Sequence, residues 1–466
     1  MRPRPIQIAL MLVVAMIAAG LVSADPAQDK VFPHLVHQTR LDNGLKVVVV
    51  PFDSPGTLAY FTVVRTGSRD EVEPGHSGFA HFFEHMMFRG TDKYSEDEYN
   101  EVLKRMGADI NAFTSDDRTV YHMVGPASEL ESIIDLESDR FQNLRYSEDV
   151  FRREALAVLG EYNKNASSPF RAMFERLRQL AFEEHTYGHT TMGYVEDIKA
   201  MPGYYGYSLS FFERFYRPEN ITVLVVGDVQ PDSVAQLAEK YYGSWRPGYM
   251  PPVIPAEAQQ IEPRAGHINW PSPISPFLML GYRVPAFSDT TVDTATLDII
   301  AQLLFSESAP LYRKLVVDEQ WVDFISGGYS DHRDPYLFTI TSRIKSDDLV
   351  LKVRQAIAEA VADLSTEPIA VERLERIKSN LRYGFALGLD SPGSVARTLS
   401  NALIMTGDPH SLNRVFGQYQ KVNPEDVRRI TRETFKPETE TVVTLSHLED
   451  RPGTDDASEK SKAEVH

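Results

Sequence analysis

The chain has 466 residues, enough to bury two sizeable cores. Its 42% hydrophobic and 24% charged residues are those of a soluble globular protein, and a formal net charge of −18 without any basic stripe argues against a nucleic-acid or anionic-membrane surface. There is no cysteine, so neither disulfides nor a lipidated cysteine can hold it, and stability must rest on packing and metal.

Residues 1–24 read as an export signal: Arg2 and Arg4, an apolar run from Ile8 to Val22, then Val22-Ser23-Ala24 before Asp25. Cleavage after Ala24 would give an exported, periplasmic protein without a stable membrane anchor. An uncleaved anchor is the alternative, but the run is short for a span. Lys46 to Phe52 and Ala59 to Arg65 are strand-like runs around the turn Asp53-Ser54-Pro55-Gly56. A greasy helix follows from Phe79 to Phe88 and stops at Gly90. Ser95 with Glu98 is a capping box opening the next helix. Ile110 to Thr114 and Thr119 to Val124 flank Ser115-Asp116-Asp117-Arg118 as a hairpin. Ala127 to Arg214 is mostly helical, with breaks near Ser167-Ser168-Pro169 and Pro202-Gly203, before a strand at Ile221 to Val226.

Five prolines between Trp245 and Pro263, without helical or strand period, read as a linker. The second half repeats the pattern: a strand at Phe277 to Val284, helices over Asp293 to Leu304 and Leu311 to Val317, and a strand pair near Phe324 to Ser342. Helices then run to Phe435, with Asn423-Pro424 as N-cap and first turn of the last, before a final strand at Thr441 to Leu445. Tyr216-Arg217-Pro218-Glu219 with Thr222-Val223 lines up with Phe435-Lys436-Pro437-Glu438 and Thr441-Val442, each just before the closing strand of its half. The expectation is an α+β chain of two tandem related α/β-sandwich domains, each an antiparallel-rich sheet covered by helices. Residues 25–246 would form the first domain, 247–263 the linker, 264–448 the second domain and 449–466 a disordered polar tail.

The greasy helix carries the chemistry. His81 and His85 lie one turn apart on one face with Glu84 beside them, and the other seven of its ten residues are apolar. Burying two imidazoles and a carboxylate without partners costs several kcal/mol, roughly 2–7 per polar group. A divalent cation can compensate them; the plainer alternative is a hydrogen-bonded pair of core histidines. Catalytic zinc needs a third protein ligand. Glu154 and Glu161, seven apart on one face of a helix over Ser147 to Asn163, supply carboxylates where one is missing.

Here the sequence resembles the pitrilysin/insulinase family of zinc peptidases, the inverzincins, whose halves share the LuxS/metallopeptidase-like fold. The match runs through Gly67-Ser68-Arg69-Asp70-Glu71, Gly78 to Met86, Phe88-Arg89-Gly90-Thr91, Asn111-Ala112-Phe113-Thr114, Glu154 with Glu161, and Tyr216 to Asn220 with Val226-Gly227-Asp228. By position, the resemblance implies one Zn2+ per chain on His81, His85 and Glu161, Glu84 as general base, and Glu154 as a carboxylate supporting the site. It also implies that Asn111 and Ala112, on an edge strand, pair with extended peptide substrates. Family members that work alone carry a distal Arg and Tyr seven apart after a Leu-Tyr-x-x-Leu run. Leu311-Tyr312-Arg313-Lys314-Leu315 is present, but Val316 and Asp323 stand at the Arg and Tyr positions, and neither can donate to an oxyanion. The chain is also about half as long as the fused members. The resemblance therefore implies the zinc-bearing subunit of a two-subunit, enclosed-chamber endopeptidase like the processing peptidases, with a sister subunit supplying Arg and Tyr; a homodimer is the alternative. Two other readings stand beside it: a non-catalytic peptide-binding or assembly subunit, and a structural zinc site.

Overall fold

A computed structural model describes residues 31–447; the export signal and the tail lie outside the described residues. The first half is built on a six-stranded sheet of β1 (His37–Arg40), β2 (Lys46–Pro51), β3 (Thr57–Val64), β4 (Asp109–Thr114), β5 (Thr119–Pro126) and β6 (Ile221–Gly227). Their order is β1-β2-β6-β3-β5-β4, with β2 and β6 parallel and every other pair antiparallel. The second sheet contains β7 (Arg264–Asn269), β8 (Phe277–Val284), β9 (Val322–Gly328), β10 (Tyr336–Ile344) and β11 (Glu440–Ser446), in the order β7-β11-β8-β10-β9. Only β7 and β11 are parallel. With β1 set aside, each strand of the first sheet has its counterpart in the second at the same place. The α+β class and the two related halves are therefore as the sequence suggests.

The first half carries α1 (Phe79–Met86), α2 (Glu96–Met106), α3 (Leu130–Asn143), α4 (Glu148–Ala166), α5 (Pro169–Ala181), α6 (Val195–Ala200), α7 (Tyr205–Phe215) and, after β6, α8 (Pro231–Tyr242). The second half carries α9 (Asp293–Phe305), α10 (Val350–Thr366), α11 (Val371–Leu387), α12 (Pro392–Thr406), α13 (Ser411–Lys421) and α14 (Pro424–Thr434). The expected helix over Leu311 to Val317 is a single turn at Pro310–Tyr312 continuing as a wider π turn over Arg313–Asp318. Strands β1 and β7, both at sheet edges, carry too weak a local pattern to be expected from sequence, whereas α8, with Pro231 in its first turn and Val234, Ala238 and Tyr242 buried at helical spacing, is legible but not among the expected elements. The capping box is present: Glu98 N donates to Ser95 Oγ at 3.3 Å and Ser95 N to the Glu98 carboxylate at 2.9 Å.

Strand runs such as Val47–Val50 are apolar at every position because both faces are covered. On β3, Leu58, Tyr60 and Val64 join α1 and α7 in one core, while Ala59, Phe61 and Val63 face the other way. What covers that second face comes from the other half: Val395, Ala396, Leu399 and Leu403 of α12. The exchange is mutual. Met173, Leu177 and Ala181 of α5 pack on Phe277, Met279, Val443 and Leu445 of the second sheet. A Cβ on Gly281 would stand 3.2 Å from the Leu177 side chain, so the missing side chain lets α5 come close. Each half thus lends one helix to the other's sheet.

Candidate metal centre

Helix α1 starts at Gly78, whose φ of +92° suits glycine, and where a Cβ would meet Ile198 at 2.5 Å and the Met192 carbonyl at 2.8 Å. Its first turn is capped by the buried Glu71 carboxylate, which accepts from Gly78 N at 2.7 Å and Ala80 N at 2.6 Å. Burial raises the Glu71 carboxyl well above the usual range, against the pull of those two bonds. Phe79, Phe82, Phe83 and Met86 are buried, Phe82 against Phe151 and Phe83 stacked on Phe211. Locking that face fixes what the opposite face presents: His81, Glu84 and His85.

Helix α4, capped by Ser147 and carrying Glu148 and Asp149 in its first turn, crosses this face with Glu154 and Glu161. Glu161 Oε2 lies 3.8 Å from His81 Nε2 and 3.5 Å from His85 Nε2. One ligand atom from each of the three residues lies within 4.8 Å of the other two. A tetrahedral zinc with bonds near 2.0–2.1 Å separates its ligands by about 3.3 Å, so these spacings fit a cation held between the three groups. The N₂O donor set fits zinc as well.

Glu154 stands outside that group of three. Its Oε1 accepts from His85 Nδ1–H at 2.9 Å and its Oε2 pairs with Arg89 Nε at 2.9 Å, while Arg89 also donates to Glu96 at 2.6 Å. This fixes the His85 tautomer with Nε2 free toward Glu161. The Glu154 hydrogen bond, above all, raises the His85 pKa, whereas burial lowers that of His81 to about 4. Glu84 accepts from Thr114 Oγ1 at 2.6 Å, and burial raises its carboxyl.

The hairpin strand β4 is the open edge of the first sheet. Ile110 and Ala112 pack on the core around α1 and Thr114 reaches Glu84, so the alternation of the strand sends Asn111 and Phe113 to the opposite face. Asn111 is exposed, and its Oδ1 accepts from the Ala112 N–H at 2.8 Å. The structure therefore brings His81, Glu84, His85, Glu154 and Glu161 together and leaves the Asn111 side chain apart. In the second half Asp323 is paired with Arg343 at 2.8 Å, and the Tyr329 hydroxyl donates to the Thr294 carbonyl at 3.2 Å. Sequence reasoning gave no role to Glu71, Arg89 or Thr114. All three stand in the segments that carry the family resemblance, but their partners lie across turns or on another strand, where no local period reports them.

Two family models match the chain: residues 48–194 match Insulinase (Peptidase family M16), and residues 208–381 match the Peptidase M16 inactive domain. The zinc protease PqqE of Helicobacter pylori is 27% identical over 417 residues, 87% of this chain and 91% of the relative. The probable mitochondrial-processing peptidase subunit beta of Schizosaccharomyces pombe is 25% identical over 411 residues, 85% of this chain and 88% of the relative. Among solved structures, a protease from Helicobacter pylori superposes with a TM-score of 0.82 at 28% identity, covering 89% of this chain and 99% of that one.

Proposed function

The chain belongs to the insulinase family of peptidases, M16, and on that premise we propose that it is a zinc-dependent endopeptidase acting on peptides or unfolded polypeptides. The observation that carries this reading is the convergence of His81 Nε2, His85 Nε2 and Glu161 Oε2, with the carboxylate of Glu84 on the same helix face. His81, His85 and Glu161 would hold the cation and Glu154 would orient His85. Bound zinc would supply a water acidified toward neutrality and a polarising charge for the scissile carbonyl. Glu84, aimed by Thr114, takes the proton of the attacking water and returns it to the leaving amine, work of about 10² to 10⁴ in rate. The open edge of β4 around Asn111 and Ala112 would receive an extended peptide by backbone pairing, with the Ala112 N–H passing from Asn111 Oδ1 to the substrate.

Val316 and Asp323 favour a catalytic subunit completed by a homologous sister chain that brings the oxyanion-binding Arg and Tyr. Residues 1–24 support export to the periplasm, and among the described residues no helix is long and apolar enough to cross a membrane. The second reading is a non-catalytic peptide-binding subunit. A base held beside the ligands weighs against it, as it does against a purely structural zinc. The test is metal analysis and cleavage of an unfolded polypeptide by wild type and Glu84→Gln, alone and with a co-purified partner. Glu84→Gln should keep one zinc and lose hydrolysis. Equal cleavage by the variant would overturn the assignment of the base, and a zinc-loaded wild type inert even with its partner would establish the non-catalytic reading.

A further inference from the structure

The third ligand stands on a weakly anchored stretch. The buried side chains of α4 are Phe151, Glu154, Ala155 and Val158, all in its first three turns. Beyond them only Leu159 and Tyr162 pack against the first core, both partly buried, and the Glu161 side chain is 40% exposed. A cavity of about 750 Å³ lies against this end of α4, lined by Tyr162, Asn165, Phe170, Phe174 and Met192 among others, so no core fills that side.

Beside α6, whose Glu196 stands near Tyr162, α5 adds a hold on the last two turns. Ser168 N donates to the Asn165 carbonyl at 3.0 Å across the two-residue junction, and the Tyr162 hydroxyl donates to Glu175 of α5 at 3.3 Å. Helix α5 is in turn seated on the second sheet through Met173, Leu177 and Ala181. Its Arg178 donates to both oxygens of Asp116, at 2.8 and 3.2 Å, and the same carboxylate faces His332 Nε2 of the second half at 3.0 Å.

We propose that the second half of the chain fixes the third ligand: α5, seated on the second sheet, holds the end of α4 and thereby sets the reach of Glu161 toward His81 and His85. Coordination distances tolerate errors of only about 0.2 Å, so an unanchored helix end would lose affinity although every ligand was present. Tyr162 and Leu177 are then positioning residues for the metal. The inference rests on Glu161 being a ligand, and the test keeps the two apart.

In the full-length protein, zinc affinity is measured by chelator competition, with thermal unfolding of the metal-free form recorded alongside. Tyr162→Phe, which removes only a hydroxyl, and Leu177→Ala should each weaken zinc by about tenfold, the lower end of what residues supporting a ligand contribute. Leu177→Met should restore most of the loss by refilling the volume. Ile300→Ala, in the core on the other face of the second sheet, should destabilise the protein as Leu177→Ala does yet leave zinc affinity within about twofold, since it touches no support of a ligand. If Tyr162→Phe and Leu177→Ala bind zinc like wild type, or Ile300→Ala weakens it equally, the proposal is overturned. Glu161→Gln separates the premise: unchanged zinc binding by that variant overturns the ligand assignment itself, whereas its loss alongside intact binding by the other two overturns only the anchoring.

Discussion

Replacing Glu154 by glutamine tests whether the proposed metal centre is built in two layers. Each carboxylate oxygen has one partner, His85 Nδ1 at 2.9 Å and Arg89 Nε at 2.9 Å. An amide cannot serve both. With its oxygen toward His85 it points NH₂ at a guanidinium, and turned round it leaves the His85 N–H without an acceptor. One unmade pair in this buried setting costs about 1–3 kcal/mol of stability. Arg89 keeps Glu96 and is 29% exposed, so water shares the burden, and the larger penalty of an isolated buried charge does not apply. For the metal, losing the carboxylate that orients His85 and raises its basicity should weaken zinc about 10- to 100-fold, or about 1.4–2.7 kcal/mol. Chelator competition at neutral pH measures the second quantity, and thermal unfolding with and without EDTA the first. Zinc affinity within about twofold of wild type, alongside a loss of stability in the metal-free form, would refute the reasoning, because Glu154 would then brace Arg89 and nothing more.

Thr114→Val frees the Glu84 carboxylate and should lower kcat about tenfold with little change in KM, a fraction of what a general base contributes, while Thr114→Ser restores it; steady-state kinetics on one peptide decide. Leu399→Ala, on the helix lent to the first sheet, should cost about 2–5 kcal/mol, read as a lower urea midpoint. Because the halves share these cores, unfolding should remain a single transition. Burial raises the Asp298 carboxyl to about 7 while Tyr419 donates to it. The unfolded carboxyl titrates near 3.9, so between about pH 4 and 7 the native state binds a proton that the unfolded state does not, and stability falls as pH rises through that window. Asp298→Asn removes this dependence and should gain on wild type by at most about 3 kcal/mol between roughly pH 5 and pH 8 in denaturant titrations.

The sequence determined by itself the elements whose burial is periodic and the groups whose spacing is local. The apolar surround of His81, Glu84 and His85, the hairpin turning at Ser115 to Arg118, the capping box at Ser95 and the repeated order of strands and helices are written in contacts between near neighbours, where a period of two or 3.6 residues reports which face is buried. The approach of Glu161 to the two imidazoles came from resemblance rather than periodicity, since a carboxylate on a half-exposed helix face looks the same whether solvated or ligating. Only the tertiary structure decided against what each face is buried. Leu177 and Leu399 each pack on the sheet of the other half, which no local period reports. In the same way Thr114 meets Glu84, Glu71 caps α1 from before the helix, and Arg89 braces Glu154, through polar contacts that recur at no fixed interval. Local pattern records that a side chain leaves water; which partner it meets depends on how the chain closes on itself, as where α5 of the first half seats on the second sheet.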